Sequence, residues 1–252
     1  MLTKAEIAFI RSLSSRRERA ASGLFVAEGE KSVREMLASS FRCAGFLPSG
    51  TVRNGCRCGP IPNWCGSPER DGAYQYAENA CRRARPGRNS ALRAAGTFRG
   101  RCARAGSGRR QDPGNMGTIV RLADWFGIRD IVCSEATADC FNPKVVQATM
   151  GAITRVRVHY LPLSGLLEKA LSDGIPVYGT FLDGDDIYGA ELSADGILVM
   201  GNEGKGIGPD VEKCVSRRLY IPSYPGGTAT SESLNVAVAT AVACAEFRRR
   251  LR

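Results

Sequence analysis

Residues 197–206 read Ile-Leu-Val-Met-Gly-Asn-Glu-Gly-Lys-Gly, four apolar residues followed directly by a glycine-rich polar turn. A short, wholly apolar run bounded by glycine is typical of a strand that is buried on both faces of a parallel sheet. Open α/β folds bind their ligands at the carboxyl ends of such strands, which is where this turn lies. The stretch therefore predicts an α/β domain whose binding site includes the turn.

The turn departs from two common phosphate-binding motifs. A P-loop requires Ser or Thr after its lysine, whereas Lys205 is followed by Gly206. The glycines that continue to Gly208 lead into Pro209, and no charged ribose-binding residue follows at the distance of about 20 residues that a dinucleotide fingerprint requires. A nucleotide-binding oxidoreductase is therefore the disfavoured alternative.

Helical and strand patterns alternate on both sides of this turn. Such alternation predicts a largely parallel sheet that helices cover on both faces. The predicted helices are 117–127, 142–150, 164–173, 209–214 and 234–250, and the predicted strands are 130–133, 155–159, 176–181, 196–200 and 217–221. Near the N-terminus, the spacing predicts helices over 3–14 and 30–39, a basic turn at 16–19 and a short strand at 24–27.

A second polar run opens the helix predicted at 117–127. Residues 112–117 read Asp-Pro-Gly-Asn-Met-Gly, and the pattern predicts a turn at Pro113 and an N-cap at Asn115. Arg121 follows six residues later, and we expect it near the face of Asn115 after nearly two helical turns. Taken alone, this run equally fits a capped helix whose arginine forms a surface ion pair.

A third run, Ser-Glu-Ser-Leu-Asn at residues 231–235, opens the Ala- and Val-rich last helix. Helix capping by Ser231 or Ser233 is one explanation, because serine is a good N-cap residue. A serine hydrolase is disfavoured because the chain has no Gly-x-Ser-x-Gly elbow. Its single histidine, His159, falls within a predicted strand, so we expect a structural side chain.

The order and spacing of the three runs resemble the SpoU (TrmH-like) family of the SPOUT superfamily, which comprises S-adenosylmethionine-dependent RNA ribose 2′-O-methyltransferases. The resemblance covers residues 111–250, with a further family-like signal at 147–152. Residues 25–29 resemble the beginning of the family's N-terminal substrate-binding domain. The resemblance implies a trefoil-knotted α/β methyltransferase domain with a mostly parallel sheet, working as a homodimer, after a small α/β substrate-binding domain.

The resemblance also implies the roles of individual residues. Arg121 is similar to the family arginine proposed as the base on the 2′-hydroxyl; because arginine is normally locked in its protonated form, the alternative is that it holds the target phosphate and acts electrostatically. No metal is implied, since the sulfonium of S-adenosyl-L-methionine is already activated. The implied catalytic residues are Arg121, Asn115, Glu203, Ser233 and Asn235, and the implied cofactor-binding residues are Thr180, Leu182, Gly201, Asn202, Gly206, Ile221 and Leu234.

The implied substrate is structured RNA, either rRNA or tRNA. Exposed basic side chains would steer it, and the candidates are Lys4, Arg11, Arg16, Arg17, Arg19, Arg248, Arg249, Arg250 and Arg252. The alternative is a non-catalytic RNA-binding protein that keeps a SpoU-like shell. The chain has no 18-residue apolar run and its N-terminus lacks the pattern of a secretory signal, so we expect a cytoplasmic protein without membrane partners.

Residues 41–110 have an anomalous composition, which divides the chain into 1–40, 41–110 and 111–252. This segment carries fourteen Arg, no Lys, three acidic residues and six of the ten cysteines, and only four of its residues are Val, Ile or Leu. Its charge is 14 − 3 = +11, against 21 − 22 = −1 for the remainder of the chain. The hypotheses are a zinc module, a disordered basic RNA-binding arm, and a frameshift in the coding sequence.

The frameshift hypothesis has a specific motive. Residues 104–110 are compatible, by codon arithmetic, with a one-base-shifted reading of Leu-Ala-Leu-Asp-Gly-Val, which is the apolar strand expected before Gln111. If this hypothesis holds, the chain lacks a folded substrate domain and that central strand, and we expect a poorly stable or inactive polypeptide. Resequencing the gene tests the frame, and tryptic peptides from 53–110 in an unchanged frame contradict a shift.

Overall fold

The computed structural model describes residues 4–46, 79–82, 101–104, 112–202, 204–224 and 233–250. The chain divides into two units, Met1–Pro86 with Asp139–Thr154 and Gly87–Ala138 with Arg155–Arg252. Asp139–Thr154 clusters with the first unit, and the division into 1–40, 41–110 and 111–252 stays a prediction. Among the described residues, no helix is long and apolar enough to cross a membrane.

Helices and strands follow one another in the order that the sequence predicts for most of the chain. The first elements are α1 (Lys4–Ser12), α2 (Arg16–Ser22), β1 (Leu24–Val26), α3 (Glu30–Leu37), β2 (Arg42–Phe46) and β3 (Asn79–Arg82). The later ones are β4 (Arg101–Arg104), α4 (Pro113–Trp125), β5 (Asp130–Cys133), α5 (Pro143–Thr149), a 3₁₀ turn (Ala152–Thr154), β6 (Arg157–Tyr160), α6 (Leu163–Ser172), β7 (Val177–Asp186), β8 (Ile197–Met200), α7 (Pro209–Glu212), β9 (Arg217–Tyr220) and α8 (Val236–Arg249).

The first unit is built on an antiparallel sheet in the order β1-β3-β2. Phe25 is 2% exposed and anchors an aromatic cluster, with ring centroids 5.5 Å from Phe41 and 4.8 Å from Phe141. Aromatic pairs at these separations stabilise the fold by more than the burial of their apolar surface alone would. The cluster joins β1 to the segment that carries α5, which explains why Asp139–Thr154 belongs to this unit.

Helix α2 corrects the prediction of a basic turn at residues 16–19. The helix begins at Arg16 and ends at Ser22, and its C-cap Gly23 adopts the left-handed conformation with φ of 68°. Arginine, glutamate and alanine are good helix formers, but a seven-residue helix without large apolar residues leaves no readable period. The helix could therefore not be predicted from apolar periodicity, although its residues have a high helix propensity.

Arg19 is a structural residue of this first unit. Its side chain is 5% exposed and bonds Asp139 through Nη2 at 2.6 Å and Nε at 3.0 Å. Its Nη1 donates to the carbonyls of Leu13 and Ser14, both at 2.8 Å. The expectation that Arg19 steers RNA is therefore wrong, because its guanidinium is buried and fully engaged.

The second unit contains a wholly parallel sheet in the order β6-β5-β4-β8-β7-β9. Ile197 and Val199 of β8 pack in a cluster with Leu167 of α6. On the other face, the Tyr178 ring of β7 meets Phe247 of α8 with centroids 5.0 Å apart. Helices therefore cover both faces, and the predicted parallel α/β sheet is confirmed. The trefoil knot stays a prediction.

Strand β4 corrects the expectation that the central strand is missing. Arg101–Arg104 pairs with β5 on one side and β8 on the other, so it occupies the middle of the sheet. The sequence Arg-Cys-Ala-Arg lacks the apolar run of a central parallel strand, but the ladder requires only backbone N–H and C=O groups. The first unit likewise has its sheet. The absence of these strands, which the frameshift hypothesis implied, is therefore contradicted by the structure.

Helix α4 begins earlier than the sequence predicts. Pro113 occupies its first turn, and Asp112 is the N-cap, whose Oδ1 accepts from the backbone N–H of Gly114 at 2.9 Å. Proline suits this position because the first turn needs no donor from it. Asn115 is therefore not the cap but a buried residue inside the helix, 8% exposed.

Candidate active site

Three of the predicted cofactor-binding residues lie at one edge of the sheet. The parallel register pairs Gly179 of β7 with Val199 of β8, and Thr180 of β7 with Leu219 of β9. Thr180, Gly201 and Ile221 consequently lie within about two residues of one another along neighbouring strands, at their carboxyl ends. The hydroxyl of Thr180 also contacts the sulfur of Met200 at 3.8 Å. The strand register thus brings these three residues together at the carboxyl ends of the strands, where the sequence predicted a ligand-binding site.

The turn after β8 is closed by its own backbone. Asn202 and Gly206 exchange two backbone hydrogen bonds of 2.8 Å, and Gly206 has a φ of 65°. The side-chain oxygen of Asn202 accepts from the N–H of Gly204 at 3.0 Å. A Cβ at Gly201 would lie 2.5 Å from the carbonyl carbon of Gly206, so only glycine fits there. Glu203, predicted to be catalytic, lies outside the described residues.

Strand β7 makes an excursion at the same edge. Thr180 and Asp185 both pair with Leu219, so residues 181–184 leave the ladder with β9 and return to the same partner. A Cβ at Gly184 would lie 2.6 Å from the Leu219 carbonyl carbon, which makes this return a close backbone contact. We call residues 181–184 the β7 excursion. Leu182, a predicted cofactor contact, lies within it and is 70% exposed.

The first and third polar runs meet through two asparagines. The side-chain Nδ2 of Asn235 donates to Oδ1 of Asn115 at 3.0 Å. Oδ1 of Asn235 accepts from the N–H groups of Ala237 and Val238, so Asn235 is also the N-cap of α8. The N-cap is thus Asn235 rather than Ser233, which precedes the helix and is exposed.

Helices α4 and α8 run side by side in the same direction. The asparagine pair joins their N-terminal ends, while Nε of Arg248 donates to the carbonyl of Phe126 at 2.9 Å at their C-terminal ends. Arg248 is therefore engaged in packing, although it was a candidate for steering RNA. The parallel arrangement holds both helix N-termini on one side of the unit.

Arg121 is exposed on α4, whereas Asn115 is buried on the same helix. Six residues turn an α-helix by about 600°, which leaves the two positions about 120° apart. The expectation that they share a face is therefore wrong. Within the described part of the chain, the Arg121 guanidinium has no hydrogen-bond or ion-pair partner. Its charge is available to a ligand or to another chain.

The side chains at this edge fit a cofactor that combines an apolar ring with polar groups. Leu182 is 70% exposed, and Thr180 and the backbone after β8 supply small polar groups. Small ligands are generally bound by apolar surface with a few convergent polar groups. Across the described residues, no group of three His, Cys, Asp or Glu side chains is placed to hold a metal ion.

His159 belongs to a structural ion cluster at the other end of the sheet. Its Nε2 lies 2.9 Å from Oδ1 of Asp130, which also binds Arg157 through bonds of 2.8 and 2.7 Å. Burial raises the pKa of the Asp130 carboxyl, but the hydrogen bonds from His159 and Arg157 together hold that pKa well below its usual range. The predicted structural role of His159 agrees with this geometry.

Family comparisons cover both ends of the chain. A model of the SpoU rRNA Methylase family matches residues 108–245, and a model of the MRM3-like substrate binding domain matches residues 4–54. Both matches extend into the anomalous segment at 41–110, from its two ends. Residues 41–54 and 108–110 therefore match family models, although they lie inside the segment with the anomalous composition.

Individual relatives give the same result. The 23S rRNA (guanosine(2553)-2′-O)-methyltransferase RlmP of Bacillus subtilis is 35% identical over 133 residues, which are 52% of this chain and 52% of RlmP. The 23S rRNA (guanosine-2′-O-)-methyltransferase RlmB of Pseudomonas aeruginosa is 32% identical over 147 residues, 55% of each chain. The chain thus spans about half the length of the curated relatives it matches.

Solved structures match over nearly the whole chain. A protein of Porphyromonas gingivalis assigned to the TrmH family of RNA methyltransferases is 37% identical with a TM-score of 0.76, covering 99% of both chains. An AdoMet-bound rRNA methyltransferase of Sinorhizobium meliloti is 26% identical with a TM-score of 0.78, covering 100% of this chain and 97% of that one. Since the first family model alone spans more than half of the sequence, the chain belongs to the SpoU rRNA methylase family.

Proposed function

We propose that this protein transfers a methyl group from S-adenosyl-L-methionine to a ribose 2′-hydroxyl of RNA. The observation that carries the proposal is the Asn115–Asn235 hydrogen bond, because it joins two motifs 120 residues apart in a single site. The AdoMet-bound relative from Sinorhizobium meliloti supports the choice of cofactor, and the names of RlmP and RlmB support the reaction.

The carboxyl edge of β7, β8 and β9 would hold the cofactor. Thr180, Gly201, Asn202, Gly206, Ile221, Leu182 and Leu234 are the residues that we assign to this role. When bound, S-adenosylmethionine supplies a methyl group on a sulfonium that needs alignment rather than a metal. The turn after β8 is suited to alignment, because Asn202 and Gly206 close it with two backbone hydrogen bonds of their own.

Arg121 would act on the RNA. An arginine side chain stays protonated in proteins, so we assign it electrostatic work: holding the phosphate beside the target ribose and stabilising charge that develops at the 2′-oxygen. Its exposure and its lack of a partner among the described residues suit this role. Asn115 and Asn235 fix the start of α4 and α8 around the site, and Glu203 and Ser233 are proposed as further orienting residues.

The experiment combines binding and turnover. Calorimetry measures S-adenosylmethionine binding, and transfer of a radiolabelled methyl group to RNA measures activity. Arg121→Ala is expected to lose roughly 100-fold or more in transfer rate while keeping cofactor affinity. Arg129→Ala, an exposed arginine of the same unit outside α4, is the matched control and should retain activity.

The outcome also separates this proposal from a non-catalytic RNA-binding protein with a SpoU-like shell. That alternative predicts RNA binding without methyl transfer by the wild-type chain. If the folded wild-type protein binds no S-adenosylmethionine, the enzyme proposal is rejected.

We propose ribosomal RNA as the substrate class, because the named relatives RlmP and RlmB act on 23S rRNA. Recognition would involve the first unit, where the match to a substrate-binding domain lies. Its exposed basic side chains are Lys4, Arg11, Arg16 and Arg17. Methylation of purified rRNA and tRNA, followed by mapping of the site, distinguishes the two substrates. A cytoplasmic location is part of the same proposal.

We also propose that the protein works as a homodimer through α4 and α8. Trp125 at the end of α4 is 84% exposed, and Val238 in the first turn of α8 is 50% exposed. Exposed apolar side chains on two adjacent helices are typical of a surface that binds another protein chain. Light scattering is expected to give twice the monomer mass, and Trp125→Ala combined with Val238→Lys is expected to shift it toward the monomer.

A further inference from the structure

The guanidinium of Arg218 binds the β7 excursion from both ends. On one side, Nη2 of Arg218 donates to Oδ1 of Asp183 at 2.6 Å. On the other, its central carbon lies 3.6 Å from the ring centroid of Phe181, a cation–π contact. Phe181 and Asp183 flank Leu182, which is left 70% exposed between them. One side chain therefore holds the residues on either side of a predicted cofactor contact.

The base of the excursion is fixed as well. A Cβ at Gly179 would lie 2.6 Å from the Phe181 ring, so the ring lies directly against the β7 backbone. Phe181 also packs on the hydrophobic cluster under the sheet. Its ring is consequently held between the core on one side and the Arg218 guanidinium on the other, which leaves this end of the excursion little freedom.

Arg218 also reaches the segment that follows the turn after β8. Its Nη1 donates to Oε1 of Glu212 at 2.6 Å, at the end of α7. Helix α7 begins at Pro209, three residues after Gly206 closes the turn. The same guanidinium thus joins the segment after β8 to the excursion of β7, and both emerge at the edge that we assign to the cofactor.

We infer that Arg218 is a positioning residue for the methyl donor, holding the β7 excursion in the conformation that receives S-adenosylmethionine. This inference rests on the proposed function. Pre-ordering a binding loop improves affinity because less conformational entropy is lost on binding. Arginine suits the position because its planar fork reaches two carboxylates while its face stacks on a ring, which a lysine ammonium cannot do.

The effect should be local rather than global. The side chains of Arg218, Glu212 and Asp183 are 38%, 42% and 75% exposed. Ion pairs of that exposure contribute little to the free energy of unfolding. The hydrogen bond from Arg218 lowers the pKa of Asp183, so the contact stays ionised at neutral pH. Removing Arg218 should therefore loosen the excursion without unfolding the sheet.

The test compares Arg218→Ala with Arg217→Ala in the full-length chain. Arg217 is the neighbour of Arg218 on β9 and is exposed, and among the described residues the contacts with Asp183, Glu212 and Phe181 are made by Arg218. Its removal changes the net charge equally. Calorimetry should show S-adenosylmethionine affinity reduced roughly tenfold in Arg218→Ala and unchanged in Arg217→Ala. Arg218→Lys should recover only part of the affinity. Hydrogen exchange without cofactor should be faster at 181–184 in Arg218→Ala alone.

Each result decides the inference. If the wild type binds the cofactor and Arg218→Ala binds equally well, the inference is overturned while the proposed function stands. If the wild type binds none, the proposed function fails and the inference fails with it. If Arg218→Ala does not fold, Asp183→Ala replaces it, because that carboxylate is 75% exposed. Wild-type affinity in Asp183→Ala also overturns the inference.

Discussion

The side chain of Asn235 serves two helices at once: Nδ2 donates to Oδ1 of Asn115 on α4 at 3.0 Å, while Oδ1 caps α8. The two residues are far apart in sequence and come from different polar runs. An asparagine can do both because its amide carries an acceptor and two donors. A residue that only capped the helix would leave α4 without this link.

We predict that Asn235→Ala lowers the free energy of unfolding by about 1 to 2 kcal/mol, because both the cap and the link are lost. Asn235→Ser should restore most of this stability but not the link, since serine caps well and is too short to reach Asn115. Urea denaturation measures the first effect and methyl transfer the second. Equal activity of Asn235→Ser and the wild type would show that the link has no role in catalysis.

The matched control for this pair is Asn142→Ala. Asn142 is the N-cap of α5, and its Oδ1 accepts from the N–H of Lys144 at 3.0 Å. Its loss should cost about 1 kcal/mol of stability for the same physical reason. Because α5 belongs to the other unit, this variant should leave the affinity for S-adenosylmethionine unchanged.

Gly201 should be irreplaceable, whereas Gly208 should tolerate alanine. A Cβ at Gly201 would lie 2.5 Å from the Gly206 carbonyl carbon and 2.8 Å from the Ile207 nitrogen, and backbone atoms cannot easily move away. Gly201→Ala should therefore cost about 1 to 3 kcal/mol and weaken cofactor binding. A Cβ added at Gly208 would meet no atom beyond its chain neighbours within 4 Å, and φ is −69°, so Gly208→Ala should change neither property. A stable, cofactor-binding Gly201→Ala would contradict the closed turn.

The helices and strands whose apolar residues recur at a regular spacing could be predicted from the sequence. An unbroken apolar run such as Ile197–Met200 predicts a strand, because a strand buried on both faces needs apolar side chains at every position. The position of the site could be predicted too, because ligands bind at the carboxyl ends of such strands. Strand β4 could not be predicted, because its place depends on the backbones of β5 and β8 rather than on its own side chains. The start of α4 was missed because Asp112 and Asn115 are both plausible caps.

Arg218 illustrates why some residues of the candidate site could not be predicted from the sequence. Nothing near it in sequence marks it as different from Arg217, the adjacent exposed arginine of β9. Its role comes from Asp183, Phe181 and Glu212, and the first of these is 35 residues away. Such partners meet only because β7 pairs with β9 and leaves the ladder at one point, which no local pattern encodes.

The Glu246 carboxylate should make stability depend on pH in the acid range. Hydrogen bonds from Arg249 and from Arg250, whose guanidinium also reaches the carbonyl of Ala190, lower the pKa of Glu246 to about 2, although burial opposes the shift. Because the folded-state pKa lies below the ordinary value of about 4.3, this contribution is present above pH 4.3 and is lost as the pH falls toward 2.

Urea denaturation between pH 6 and pH 2 measures this dependence. Glu246→Gln should be less stable than the wild type at pH 6, and the difference should shrink as the pH falls through about 4.3. Glu191→Gln, an exposed carboxylate of the same unit, should keep the wild-type profile. A pH profile for Glu246→Gln parallel to that of the wild type would contradict the assignment.

Arg19 and its exposed neighbours Arg16 and Arg17 should separate stability from RNA binding. Arg19→Ala leaves the Asp139 carboxylate without its buried partner, so we expect the first unit to lose about 3 to 5 kcal/mol of stability. Arg16→Ala and Arg17→Ala should leave stability unchanged, because both side chains are exposed. Each should instead reduce the salt dependence of RNA affinity by about one ion, as expected for a lost phosphate contact. Wild-type salt dependence in the Arg16→Ala, Arg17→Ala double variant would place the RNA elsewhere, because a phosphate-binding surface cannot lose two contacts without releasing fewer counterions.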